Sequence, residues 1–218
     1  MKTSEIVELL WQATKQTLTM VSISISLAVL LGILLGLVLY ITATPLLYQN
    51  KWINGLAGFI INVIRSIPFI ILLVLLMPVT SAIVGTVIGP KAVTVPLTVA
   101  ATTFLARLVE GALSEVDKGI IEASLAMGAN FKQIIWEVLL VEALPGIIRA
   151  ITVTLISIIG FSAMAGTVGG GGIGDLAIRY GYQRYQTDIL FVTVVFLVIV
   201  VQMIQVIGEK IAVYLTKK

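Results

Sequence analysis

Residues 18–41 read LTMVSISISLAVLLGILLGLVLYI, twenty-four positions without a single charge. A helix of that length is about 36 Å long, enough to cross a hydrocarbon core of about 30 Å with some tilt. The run is continuously apolar and lacks the two-residue alternation of a membrane barrel strand, so the crossing element it predicts is a helix. Working outward, no charge occurs between Lys15 and Lys51. A charged side chain at the bilayer centre costs about 2.5–3.5 kcal/mol on insertion scales, so the charges mark depth. Apolar stretches bounded in this way at about 54–78, 92–112, 147–166 and 189–208 predict four more spans. The expectation is an all-α, polytopic membrane bundle of about five transmembrane helices, forming one domain over residues 1–218.

Composition agrees. Mean hydropathy is +1.11 and only 11% of residues are charged, against about a quarter in a soluble domain. The net charge of +3 is small and comes with no basic patch interleaved with aromatics, so nucleic acid is not an expected partner. Cysteine and histidine are both absent. Disulfides, Cys/His zinc sites, thiolate nucleophiles and an imidazole base are thereby excluded. Glu5 and Glu8 stand where a signal peptide would carry positive charge. Ile6, Leu9, Leu10 and Ala13 recur at helical spacing, which predicts a short helix lying on the membrane surface, with a frayed terminus as the alternative.

Ten charged residues lie between Arg107 and Arg149, in the largest polar element of the chain. Phe131, Ile134, Ile135, Val138 and Leu139 mark one face of a helix. Asn130 is placed to cap it, with Gln133 three residues on. Gly128 can end a preceding helix that begins near Lys118. The pattern predicts two short amphipathic helices joined by a turn and lying on the surface. With this segment and the Lys217–Lys218 tail inside, the cytoplasmic loops hold eight Lys/Arg and the outer ones five. That bias favours an external N-terminus and a cytoplasmic C-terminus.

Glu122-Ala123-Ser124-Leu125-Ala126-Met127-Gly128-Ala129 resembles the EAA signature of permease subunits of binding-protein-dependent ABC importers. Leu140-Val141 departs from the Leu-Pro that follows the signature in that family, while Leu144-Pro145-Gly146 fits a second such pair. Arg65-Ser66-Ile67-Pro68-Phe69-Ile70-Ile71-Leu72, Ser162-Ala163-Met164-Ala165-Gly166 and the stretch from Gly169 to Tyr182 are similar to the methionine importer permeases. The resemblance implies the type I ABC importer permease fold and transport of methionine across a bacterial inner membrane by alternating access. It also implies a second permease copy, two separate ATP-binding subunits that carry ATP and Mg, and an external substrate-binding protein. The chain itself would hold no cofactor, no metal and no catalytic residue, and residues 113–146 would form the cytoplasmic coupling segment. Glu122, Ala123, Ser124, Ala126, Gly128 and Ala129 would present small side chains and one charge to a groove on the ATPase. The same machine carrying another polar amino acid or small solute, a self-contained secondary transporter and a non-transporting scaffold are the rival readings.

Gly169, Gly171 and Gly174 satisfy G-x-G-x-x-G, but the motif follows an apolar span and no βαβ unit surrounds it, which argues against a dinucleotide. The glycine-rich stretch reads as a flexible external connector, with Gly171, Gly174 and Tyr182 facing the binding protein; a plain loop is the alternative. Arg65 falls about eleven residues into the second span and should face protein or water, and Pro68 should kink the helix there. The pair is expected to line or hinge the pathway, unless Arg65 snorkels to the cytoplasmic edge. Arg107 and Glu110, one turn apart, predict a local ion pair. Ser162, Met164 and Gly166 lie among small residues of the fourth span and are candidates for the pathway seam between two copies, with ordinary packing inside one subunit as the alternative. Gly32 and Gly36 suggest close helix packing.

Overall fold

The structure is a computed structural model that describes residues 3–216; Lys2 and the Lys217–Lys218 tail, part of the charge comparison, lie outside the described residues. Every regular element among these residues is helical. Four helices are long and apolar enough to cross a membrane, and a fifth crossing arises if one bent pair is a single span.

The first helix, α1 (Thr3–Ala43), runs unbroken for 41 residues, about 61 Å at 1.5 Å per residue. The separate surface helix expected at the start is therefore absent. The opening residues instead continue the first span, and Ala13 is buried against Ile173, Leu176 and Ile189 near the other end of the sequence. That contact removes the need for lipid headgroups as a partner.

The second span is broken. Helix α2 (Lys51–Ser66) is capped by Asn50, whose side chain accepts from the N–H groups of Trp52 and Ile53. It ends at Ile67–Pro68, and α3 (Phe69–Leu75) departs at 107°. The kink expected at Pro68 is thus a full break, because the residue before a proline is pushed to extended geometry as well, and Ile67 has φ −85° and ψ 124°. A further short helix, α4 (Met77–Val84), follows, and the predicted 54–78 span is three pieces.

Helix α5 (Pro90–Ser114) lies along α1 and forms the middle of the bundle. Gly36 allows this: a Cβ there would sit 2.7 Å from the Val109 side chain and 2.8 Å from the Ala106 carbonyl oxygen. The two helices bury Leu37, Tyr40, Leu105, Val109 and Leu113 between them and their neighbours. The packing role expected of Gly32 and Gly36 is met.

After α5 come α6 (Lys118–Ala126) and α7 (residues 131–142), the latter widened by a π turn at Ile134–Leu139. The fourth crossing is α8 (Leu144–Ala165), close to the predicted 147–166. Residues 172–182 form α9, an α turn running into a π turn, and α10 (Thr187–Thr216) is the last crossing. On α10, Phe191, Val194, Val195, Val198 and Ile199 are exposed, an apolar face of the kind that lipid covers.

Candidate functional site

Two places carry the residues singled out in the sequence: the helical handle between α5 and α8, and the broken span with the helices behind it.

In the handle, Asp117 caps α6 by accepting from the N–H of Gly119 at 2.8 Å, a cap the sequence reading passed over. At the other end Gly128 has φ +86°. The N–H of Gly128 donates to Leu125 and that of Ala129 to Ser124, closing the helix with a left-handed cap. The next helix opens with the expected reciprocal cap: Asn130 accepts from the Gln133 N–H at 3.0 Å, and the Gln133 side chain accepts from the Asn130 N–H at 2.9 Å.

These helices do not lie on the membrane surface as expected. Ile121, Ile134, Ile135 and Leu139 are buried in one cluster with Val109 and Leu113 of α5, Val116 just beyond it and Ile147 of α8. Burying such side chains is worth about 1.5–3 kcal/mol each, so the handle is seated on the bundle. Glu122, Ala123, Ala126 and Gly128 are exposed on its outer end. Ser124 is not: it is buried and donates to the Ile120 carbonyl, because it lies on the inner face one turn after Ile121. Ala129 is half-buried against the cluster. Met127, which the sequence reading did not single out, is 82% exposed on the same end.

At the broken span, Arg65, Ile67, Pro68, Phe69, Phe104 and Phe161 line a hollow of about 340 Å³. The Arg65 guanidinium lies over the Phe104 ring, 5.9 Å from its centroid, and the rings of Phe69 and Phe161 stack at 5.0 Å. Arg65 and Pro68 thus share one cavity, while Phe104 and Phe161 were missed because aromatic residues in apolar spans carry no distinguishing pattern. Met164 is exposed one turn beyond Phe161 on α8. Ser162 is buried and donates to the Ile159 carbonyl. Gly166 is buried where a Cβ would strike the backbone of Gly174 and Asp175. Both are packed against other parts of this chain.

The glycine-rich stretch is folded, not a flexible connector. Gly174 is buried against the Ala163 backbone, so it has no surface to offer a partner. Gly171 is half-buried at φ +75° beside Gln16. The Gln16 and Thr17 side chains accept from the N–H groups of Gly172 and Ile173 at 2.7 and 2.9 Å, a tie across 156 residues that no local pattern announces. Tyr182 and Tyr185 remain exposed. The Arg107–Glu110 ion pair forms at 2.7 Å, and Arg107 also donates to the Gly58 carbonyl and the Asn62 side chain, fastening α2 to α5.

The family of binding-protein-dependent transport system inner membrane components matches residues 28–218. The chain belongs to this family. The permease is 51% identical to a probable D-methionine transport system permease protein of Vibrio cholerae, over 93% of this chain and 90% of that one. It is 49% identical to a methionine import system permease protein of Bacillus subtilis, over 96% and 94%. A solved chain from inward-facing conformations of the MetNI methionine ABC transporter superposes with a TM-score of 0.94 at 44% identity, covering 99% of both chains. The permease also shares its fold with a chain of an amino acid ABC transporter, at a TM-score of 0.80 and 17% identity over 96% and 95%. The type I importer fold expected from the EAA signature is therefore met, and the permease is a multi-pass inner-membrane protein.

Proposed function

We propose that this permease moves methionine across the inner membrane by alternating access, as a homodimer coupled to two ATP-binding subunits and fed by an external substrate-binding protein. The observation that carries this reading is the handle. Its base is buried among the spans, and its outer end offers Glu122, Ala123, Ala126, Met127 and Gly128 to solvent. A partner that grips this end moves α5 and α8 with it, because buried packing transmits displacement instead of absorbing it. Methionine as cargo is supported by the likeness to methionine permeases along nearly the whole chain. ATP and Mg bind to the partner subunits, and this chain contributes no nucleotide site. Tyr182 and Tyr185, at the far end of the bundle from the handle, are the surface that meets the binding protein. The handle and C-terminus are cytoplasmic and the N-terminus is outside.

The test is reconstitution of the permease with its ATPase and binding protein in liposomes. ATP-dependent accumulation of labelled methionine, displaced by excess methionine and not by an unrelated amino acid, is the expected result. Accumulation without the ATPase, driven by an ion gradient, would overturn the reading.

A further inference from the structure

We propose that the hollow at the break of the second span is a transient binding site for the amino acid in transit, with Arg65 receiving its α-carboxylate and Phe104 and Phe161 receiving its apolar side chain. The proposal rests on the amino-acid importer reading and adds the chemistry of contact.

Arg65 lies fourteen residues beyond Lys51 along α2, about 21 Å into the chain's crossing. A guanidinium at that depth is costly unless it faces water, an anion or protein acceptors. Among the described residues no carboxylate and no carbonyl is paired with it; its one contact of note is the Phe104 ring. Elsewhere the terminal guanidinium nitrogens of the arginines near the spans are engaged: those of Arg107 hold Glu110, Asn62 and Gly58, although its Nε is buried without a partner, and Arg149 holds Glu209. Arg65 alone of these three keeps its planar donor fork open, and it keeps it at the rim of a cavity.

The rest of the cavity suits one ligand class. Its walls carry no other charge: Ile64, Ile67, Phe69, Leu72, Ala100, Phe104 and Phe161 surround the single cation. A volume of about 340 Å³ lies within the range of small-molecule clefts, about 300–1,000 Å³. A carboxylate fits the bidentate geometry of a guanidinium. An aliphatic or thioether side chain fits the rings, since sulfur gains from contact with aromatic edges. At the same break the Ile64 carbonyl takes the Ile67 N–H, while the carbonyls of Arg65 and Ser66 receive no N–H from the helix that follows, and these two are acceptors for the ligand's ammonium group. One cation, free carbonyls and an aromatic wall together read a zwitterion with an apolar tail.

The experiment uses the whole complex in liposomes, with the binding protein, and measures methionine uptake and ATP hydrolysis in parallel for wild type, Arg65→Lys, Arg65→Ala and Phe104→Leu. For Arg65→Ala the expectation is about tenfold or greater loss of methionine moved per ATP hydrolysed, with binding-protein-stimulated hydrolysis retained; the size follows from losing a charge-assisted hydrogen-bond pair. Arg65→Lys should recover part of the loss, and Phe104→Leu should raise the half-saturating concentration for uptake. An unchanged transport-to-hydrolysis ratio in Arg65→Ala would overturn the site. So would parallel loss of hydrolysis and of assembled complex, which would make Arg65 a structural residue. If wild type itself moves no amino acid on ATP addition, the importer reading fails first and the site with it.

Discussion

At Gly128 the backbone takes φ +86° and a Cβ would point into open space. At Gly174 φ is ordinary, but a Cβ would be driven into the Ala163 backbone. The two glycines are therefore required for different reasons, and alanine separates them. Gly128→Ala should cost only the left-handed penalty of about 1–2 kcal/mol, lowering Tm in detergent by a few degrees with the complex still assembled. Gly174→Ala must displace α8 or α9 bodily and should leave little folded permease on size-exclusion chromatography. Equal effects of the two would contradict this assignment. Both positions were visible in the sequence as glycines, and Gly128 was legible as a helix terminator because the signal is local. The packing role of Gly174 was not legible, since its contact lies in a different helix. Ser124 failed likewise: the motif showed a small residue, and only the position of the core showed which way it faced.

Among the elements, the handle is the one whose exposed tip and buried base make separable predictions. Met127, 82% exposed, and Glu122 sit on the outer end. Met127→Asp and Glu122→Lys should each weaken co-purification of the ATPase, with losses of at least about 2 kcal/mol if Met127 is an interface anchor, while permease yield in membranes is unchanged. Retention of the ATPase by both variants would place the contact elsewhere. The handle's caps at Gly128 and Asn130, its turn and its apolar face were read from residue order, because each is set within a few positions, though the Asp117 cap was passed over. Its seat could not, because an amphipathic face fits a lipid surface and a protein core equally well until Val109, Leu113 and Ile147 are brought beneath it. The second span shows the opposite limit. Pro68 announced a disruption but not its 107° extent, and beyond it Phe69 packs on Phe161 of another helix, a contact no local pattern announces.

For the whole molecule, the four long helices and the bent pair place the handle and the Tyr182–Tyr185 region at opposite ends of the bundle. The chain contains no cysteine, so single cysteines can be introduced without background. In intact cells Tyr185→Cys should react with a membrane-impermeant maleimide, and Asn130→Cys should react only after permeabilisation. The reverse pattern would invert the topology and remove the ATPase-coupling role. The spans were legible at this scale because apolar length is a property of the chain itself. The union of the opening residues with α1 was not, since Lys15 reads as a boundary charge and yet lies in unbroken helix.

The gap at Ile67–Pro68 has a mechanical corollary. Ile67 already closes onto Ile64, and Leu72 already closes onto Pro68, so no main-chain hydrogen bond runs from one segment to the other. Swivelling one against the other turns a few torsions and ruptures no main-chain bond within either rod. Reorientation at this joint is thus resisted by side-chain contacts, the Arg107 tie of α2 to α5 and the Phe69–Phe161 stack, and not by the main chain.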